Sequence, residues 1–260
     1  MCRAPALPLR WNRETDLTIS AIQALDPYLK QRLPFTYRSG YLPQPVVRFT
    51  GLRDENGALR DGYLTSFVNV SRIEPITTVH DHAAIFDDWV GVLSRLGLHA
   101  RHIDLRGHLK TWRRDMVEGM TLRFQHAGLE LGDIVLIWNA DDPSFLATDL
   151  GTGLERLRWA ITRQRWAETV FGSSTDAAAL AELDALRTAV LLVGAGVLPA
   201  ARGPGYASRK ILHGVSRLPA TVGLSAAVRV AHRFWSLTMT NLLPWPEIAR
   251  RIESEVLSRG

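Results

Sequence analysis

Residues 149–157 read DLGTGLERL. A β-rich run, SFLATDL (144–150), leads into Asp149, and the two glycines, Gly151 and Gly153, have one residue between them. An amphipathic run starts at Leu154, with Leu154, Leu157 and Ile161 at helical spacing. The stretch predicts a strand, a glycine turn and a helix. Glycines at such a junction let backbone approach a phosphate, and a helix N-terminus favours an anion. Asp149, at the strand end, can meet a ligand's ammonium group. Arg156 lies in the second helical turn, within reach of terminal phosphates. A dinucleotide site does not fit: the third glycine is missing, and no parallel βαβ unit precedes the motif.

The rest of the chain sets bounds on this site. It has 260 residues, 46% of them apolar, which is enough for one large or two small cores. The net charge is +5, and arginine dominates the basic residues. That suits an anionic partner such as a nucleotide, a tRNA or an acidic carrier protein; an arginine-rich GC-biased genome explains it equally well. The single cysteine, Cys2, excludes an intrachain disulfide framework and a cysteine-based zinc site. MCRAPALPLRW at the start lacks the apolar core of a signal peptide. The longest apolar run, AVLLVGAGVL (189–198), is too short to cross a bilayer. The expectation is a cytoplasmic protein with no membrane partner.

Strands dominate the first half. QPVVRFT (44–50) and YLTSFVNVSRI (63–73) flank a polar loop containing Asn56-Gly57, which predicts an antiparallel hairpin with a long tip. HARHIDL (99–105) and DIVLIWN (133–139) predict further strands. Asp81 is expected to cap a helix with Ile85, Trp89, Val92, Leu93 and Leu96 on one face, stopped by Gly97. From about 176 the pattern turns helical, with Leu180, Leu183, Leu186, Val190 and Leu191 in one stripe and later helices at 205–217, 223–242 and 246–258. The predicted architecture is α+β: an antiparallel sheet flanked by helices over residues 1–172, then a small helical domain over 173–260, with the boundary near FGSST (171–175).

Side chains alternate along the hairpin, so Val46, Arg48 and Thr50 share one face and Thr65, Phe67 and Asn69 another. If these faces coincide, an arginine able to neutralise an α-phosphate stands beside a phenylalanine able to stack on a purine. Arg53 and Arg60 at the tip are long enough to reach phosphates. Taken alone, an ordinary hairpin with one exposed arginine is the simpler reading.

Taken together, these pieces resemble class II aminoacyl-tRNA synthetases and, within them, alanyl-tRNA synthetase. VVRFTGLRDENG resembles that family's motif 2 strand and loop, YLTSFVNVS its returning strand, IWN (137–139) the strand before motif 3, and DLGTGLERL motif 3 itself. DALRTAVLLVGAGVLPAARGPGYASRKIL (184–212) resembles the helices that follow. The likeness is colinear from about Trp11 to the end. It implies an aminoacyl-adenylate-forming ligase using ATP and Mg²⁺. Arg48 would contact the α-phosphate and the amino acid carboxylate, with Arg53 also on the ATP. Phe67 would stack on adenine, Asp149 bind the α-amino group and Gly151 line a pocket for a small side chain. Arg156 would hold the γ-phosphate, Trp112 in KTWRRD would stand beside the amino acid, and Asn139 would sit near metal and substrate.

The departures from the family shape the expected partners. No His-x-x-x-His editing motif occurs, and the resemblance ends within the helical domain, so the elements that recognise an acceptor stem are expected to be missing. TDLTISAIQALDPYLK (15–30) stands in for the segment after motif 1, the class II dimer element, which leaves a dimer open. The family's glutamate before Ile-Trp-Asn is Leu136 here, and EGMTLRFQHAGLE replaces a Gly-Pro-Cys loop; Asp133 or Glu130 are the candidate substitutes for a metal ligand. The expectation is activation of alanine or another small amino acid, with transfer to a carrier-protein thiol or a small-molecule amine in a biosynthetic pathway. The alternatives are a minimal enzyme charging tRNA, or an inactive paralogue that binds ligand or protein. His80-Asp81-His82 reads more simply as a capped loop than as a metal site, HARHIDLRGHLKTWRR as a solvated basic strand edge, and Trp235 and Trp245 as core or interface.

Overall fold

The computed structural model describes residues 3–10, 16–34, 40–49, 51, 53, 55, 59–107, 110–172, 179–219 and 222–257. Cys2, Trp11, Thr50, Asn56-Gly57, His108 and residues 173–175 of the expected boundary lie outside them.

The sheet has seven strands: β1 (Leu42–Val47), β2 (Ser66–Ile76), β3 (Ile103–Gly107), β4 (Trp112–Arg114), β5 (Val117–His126), β6 (Leu129–Asn139) and β7 (Leu146–Gly153). Their order is β1-β2-β7-β6-β5-β3, with β4 pairing β5 off this path. Every pairing with a resolved register is antiparallel. With helices flanking it, this is the α+β class that the strand and helix patterns predict.

The chain divides into two compact units whose segments interleave. One comprises Met1–Pro5, Ser20–Gln44 and Asn69–Gln164; the other comprises Ala6–Ile19, Pro45–Val68 and Arg165–Gly260. The division runs through β1 and β2.

In the first unit, a turn of tight helix (Ala21–Leu25) leads into α1 (Asp26–Gln31), and α2 (Val79–Arg95) and α3 (Leu154–Thr162) supply side chains to one face of the sheet. Ile85, Trp89 and Leu93 of α2 and Leu157 of α3 join Phe124, Ile134, Leu136 and Leu150 in a buried cluster. The cap of α2 differs from expectation. Thr78, not Asp81, is the N-cap: its hydroxyl accepts from the Asp81 N–H at 3.3 Å, and the Asp81 carboxylate accepts from the Thr78 N–H at 2.8 Å. The pair satisfies two orphan donors reciprocally, which a lone aspartate cannot do. Leu96, expected on the buried face, is 44% exposed because the helix has already ended there.

The largest correction is β5. EGMTLRFQHAGLE is no loop: it is most of β5 and, through the Ala127-Gly128 turn, the start of β6. Both turn residues have positive φ, 48° and 84°, as a two-residue hairpin turn demands. Glycine adopts this freely, whereas alanine strains. The segment expected as a strand from 99 has three residues of tight helix, Ala100–His102, before β3 begins. β4 and the helix α4 (Trp166–Phe171) were not anticipated.

In the second unit, α5 (Leu180–Gly194) is the central helix, with every residue from Asp184 to Gly194 buried. A helix apolar on nearly all sides must be enclosed. α6 (Pro204–Val215), α7 (Leu224–Trp235) and α8 (Trp245–Leu257) pack on it. α7 stops at Trp235, well short of the expected 242, and that indole is fully buried.

Two predictions follow from strain and burial. Ala127→Asn relieves the left-handed alanine, so urea denaturation is expected to show a gain of about 1 kcal/mol. His82 is buried, with Nδ1 2.7 Å from the Thr148 hydroxyl, and its pKa is lowered by desolvation. His126 is lowered by burial and then by His102, Arg163 and His99. Both folded pKa values lie below the ordinary value of 6.5. Between the folded and unfolded values the unfolded chain binds more protons, so stability is full above about pH 6.5 and falls as the pH drops through the folded pKa values. The urea midpoint is expected to fall from pH 7 to pH 5, with His82→Gln flattening that slope.

Candidate active site

The stretch DLGTG does not turn. It is the second half of β7, and α3 starts at Leu154 directly after it. Neither Gly151 nor Gly153 has a positive φ, and Gly153 caps α3 in an extended conformation. Asp149 is therefore mid-strand rather than at a strand end. The glycines serve close packing: a Cβ on Gly151 would stand 3.1 Å from the Asn69 side-chain amide.

Register builds the surroundings of Asp149 in the first unit. Asp149 lies opposite Ile73 on β2 and Val135 on β6; Gly151 lies opposite Ser71 and Asp133. β5 extends these rows, with Thr121 opposite Val135 and Arg123 opposite Asp133. Leu150, Ile134 and Leu136 point into the helix-packed core, so all of these residues lie on the other face. The half-buried Asp149 carboxylate is bordered by the buried Ile73 and Val135. In such an apolar surround an ammonium partner is worth more than in water.

Trp112 closes one end. Its Nε1–H donates to the Thr121 hydroxyl at 3.1 Å, and β4–β5 register seats it opposite Gly119. A Cβ on Gly119 would come within 2.6 Å of the indole ring, so only glycine leaves room for it. Arg156, in the first turn of α3, donates to the Glu130 carboxylate at 3.1 Å.

Asn139 has a different setting from that expected. It is fully buried; its amide donates to the Leu29 carbonyl at 2.6 Å and its side-chain oxygen accepts from the Asp141 and Asp142 N–H groups at 3.0 and 2.9 Å. Those bonds hold the β6–β7 connection. Leu136 belongs to the core cluster, so its position is not on the Asp149 face and a glutamate there would not face it. Asp133, Val135, Thr121 and Arg123 share the face with Asp149, and sequence reading missed the last three. Their signal was the two-residue alternation of β5 and β6, legible only once both are recognised as strands in this register.

The second unit carries the other predicted residues. Arg48 lies one residue beyond β1. Its N–H donates to the Thr65 carbonyl at 2.8 Å and its Nε–H to the Ile19 carbonyl at 2.7 Å. Its guanidinium carbon is 5.3 Å from the centre of the Phe67 ring. The expected meeting of arginine and phenylalanine thus occurs, as a cation–π pair of about 0.5–2 kcal/mol. Arg53 is exposed on the hairpin tip, bridged to Leu59.

Among the described residues no group of three His, Cys, Asp or Glu is placed to hold a metal ion, and no helix is long and apolar enough to cross a membrane.

No family model matches the chain, and no curated protein matches it. Among solved structures the chain is similar to PylSc of Desulfitobacterium hafniense, a pyrrolysyl tRNA synthetase, with 18% identity and a TM-score of 0.34. The match covers 50% of this chain and 43% of that one, so it spans less than half of that protein's length.

The seat of Trp112 is testable directly. Gly119→Ala is expected to push the indole off its seat and break its bond to Thr121. In ¹⁹F NMR of the chain labelled with fluorotryptophan, one of the eight resonances should move. Stability should fall by about 1–3 kcal/mol, the usual cost of overpacking.

Proposed function

We propose that the chain is a class II aminoacyl-tRNA synthetase-like ligase. It activates alanine or another small amino acid with ATP as the aminoacyl-adenylate. It then passes the acyl group to a non-tRNA acceptor, a carrier-protein thiol or a small-molecule amine. The observation that carries this reading is the carboxylate of Asp149 on a half-buried strand beside Gly151, with Val135 and the Trp112–Thr121 pair on the same face. That arrangement suits an ammonium group attached to a short side chain. The colinear motifs support it, as does the Arg48–Phe67 pair.

The chemistry asks little of acids and bases. A carboxylate oxygen of the amino acid attacks the α-phosphorus of ATP, the bond to the β-phosphate oxygen breaks, and pyrophosphate leaves. In the second step the acceptor thiol or amine displaces AMP. Asp149 would hold the ammonium group, Arg48 the α-phosphate, Phe67 the adenine, and Arg53 and Arg156 the outer phosphates. Catalysis is then positioning and charge neutralisation. Mg²⁺, when bound, spreads the charge of the phosphates. A magnesium ion on a nucleotide needs only one or two protein carboxylates, and the donor set meets this. Asp133, opposite Gly151 on β7 and Arg123 on β5, would be that ligand, and Glu130 accepts from Arg156.

One observation favours charging of tRNA as a second reading. α6 carries Arg209, Lys210 and His213, all exposed, and no acidic residue. Such a face suits a polyanion.

Amino-acid-dependent exchange of pyrophosphate into ATP is the test. Exchange is expected with alanine or another small amino acid. Asp149→Asn should lower it at least a hundredfold, and Phe67→Ala should raise the KM for ATP about tenfold, in line with roughly 1–3 kcal/mol for base stacking. Absence of exchange with every amino acid would overturn the reading. Assays with tRNA transcript, carrier protein and free amines then separate the acceptors.

A further inference from the structure

Three polar side chains of α5 are buried and turned to a single piece of backbone. Asp184, Arg187 and Thr188 are 4%, 6% and 0% exposed in a helix that is otherwise apolar over its buried length. The Asp184 carboxylate accepts from the Thr65 N–H at 3.0 and 3.4 Å. Arg187 donates to the Ser66 carbonyl, and the Thr188 and Ser66 hydroxyls are 2.8 Å apart. Arg187 is itself fixed: its guanidinium carbon lies 4.5 Å from the ring centre of Phe234 and 4.4 Å from that of Trp235, and the Trp235 indole donates to the Arg187 carbonyl at 2.9 Å. Burying a charge and a carboxylate in a helix core is costly, and apolar packing would serve stability as well.

Both clamped residues immediately precede Phe67. The clamped Thr65 also accepts, through its carbonyl, the N–H of Arg48. Holding Thr65 and Ser66 therefore sets both members of the Arg48–Phe67 pair.

We infer that Asp184, Arg187 and Thr188 are positioning residues for nucleotide binding, with α5 fixing the backbone that carries Phe67 and Arg48. The inference rests on the adenine- and phosphate-binding roles proposed for that pair. It makes the helical segment part of the nucleotide grip rather than an appendage. Desolvation raises the pKa of Asp184, offset in part by the bonds from Thr65 and the charges of Arg187 and Arg53.

The test uses the whole chain, with ATP binding followed by calorimetry and amino acid affinity by exchange kinetics. Thr188→Val keeps shape and removes only the hydroxyl; Asp184→Asn keeps an acceptor for the Thr65 N–H. Asp184→Ala removes it, and Phe67→Ala and the double variant complete a cycle. The expected result is an ATP Kd raised about tenfold in Asp184→Ala and about threefold in Thr188→Val. Asp184→Asn should lie nearer wild type, and the KM for the amino acid should change less than the ATP Kd. The effect of Asp184→Ala should largely vanish in the Phe67→Ala background. Unchanged Kd in the folded Thr188→Val and Asp184→Ala variants, additivity in the cycle, or equal losses for both substrates would overturn the inference alone. Failure of the wild-type chain to bind ATP would overturn the functional reading beneath it.

Discussion

β7 is hydrogen-bonded on both sides, to β2 and to β6, and this double register is the constraint from which the first unit's site follows. With β7 locked, Asp149 must face Val135 and Ile73, and Gly151 must face Asp133 and Ser71. A slip of one residue would turn Asp149 into the core and Leu150 out of it. Close approach enforces the register: a Cβ on Gly132 would stand 2.0 Å from the Gly151 carbonyl oxygen. No other residue fits at position 132 without parting the strands.

The two faces of the sheet then divide the work. One holds the apolar cluster with α2 and α3, and its burial holds the first unit together. The other carries Asp149, Asp133 and Thr121. A charged side chain survives there because the strands beneath it are stabilised from the opposite side. Trp112 follows the same logic, since its indole is seated by a missing side chain at Gly119 and oriented by a single hydroxyl, that of Thr121.

The second unit solves a different problem. Backbone groups of Thr65 and Ser66 meet side chains of α5: Asp184 and Arg187 replace the partners that a continued ladder would offer, and the Thr188 hydroxyl meets that of Ser66. Local polar bonding thereby sets the direction of Phe67 and Arg48, two residues whose contact otherwise rests on one cation–π pair.

Much of this was legible from residue order alone. Alternation in 63–73 and 133–139, helical spacing in 81–96 and the glycine spacing of DLGTGLERL identified strands, helices and most of the site candidates. These signals are local, and local backbone preference follows from local sequence. The sequence also placed Asp149 on a strand and Arg156 on the helix that follows it. It did not reveal β5, whose alternation is broken by Glu118, Arg123 and Gln125 among its apolar residues and whose turn to β6 is Ala127-Gly128, without the Asn-Gly or Asp-Gly signal of a hairpin. It also suggested a turn where β7 is extended, because glycine permits either conformation and only neighbouring strands select one. Tertiary structure alone decided that Asn139 is spent on the β6–β7 connection, that Leu136 faces the core, and that Asp133, Val135 and Thr121 stand beside Asp149. The reason is physical: which residues meet across a sheet is set by register, and register is a property of paired strands rather than of any one of them.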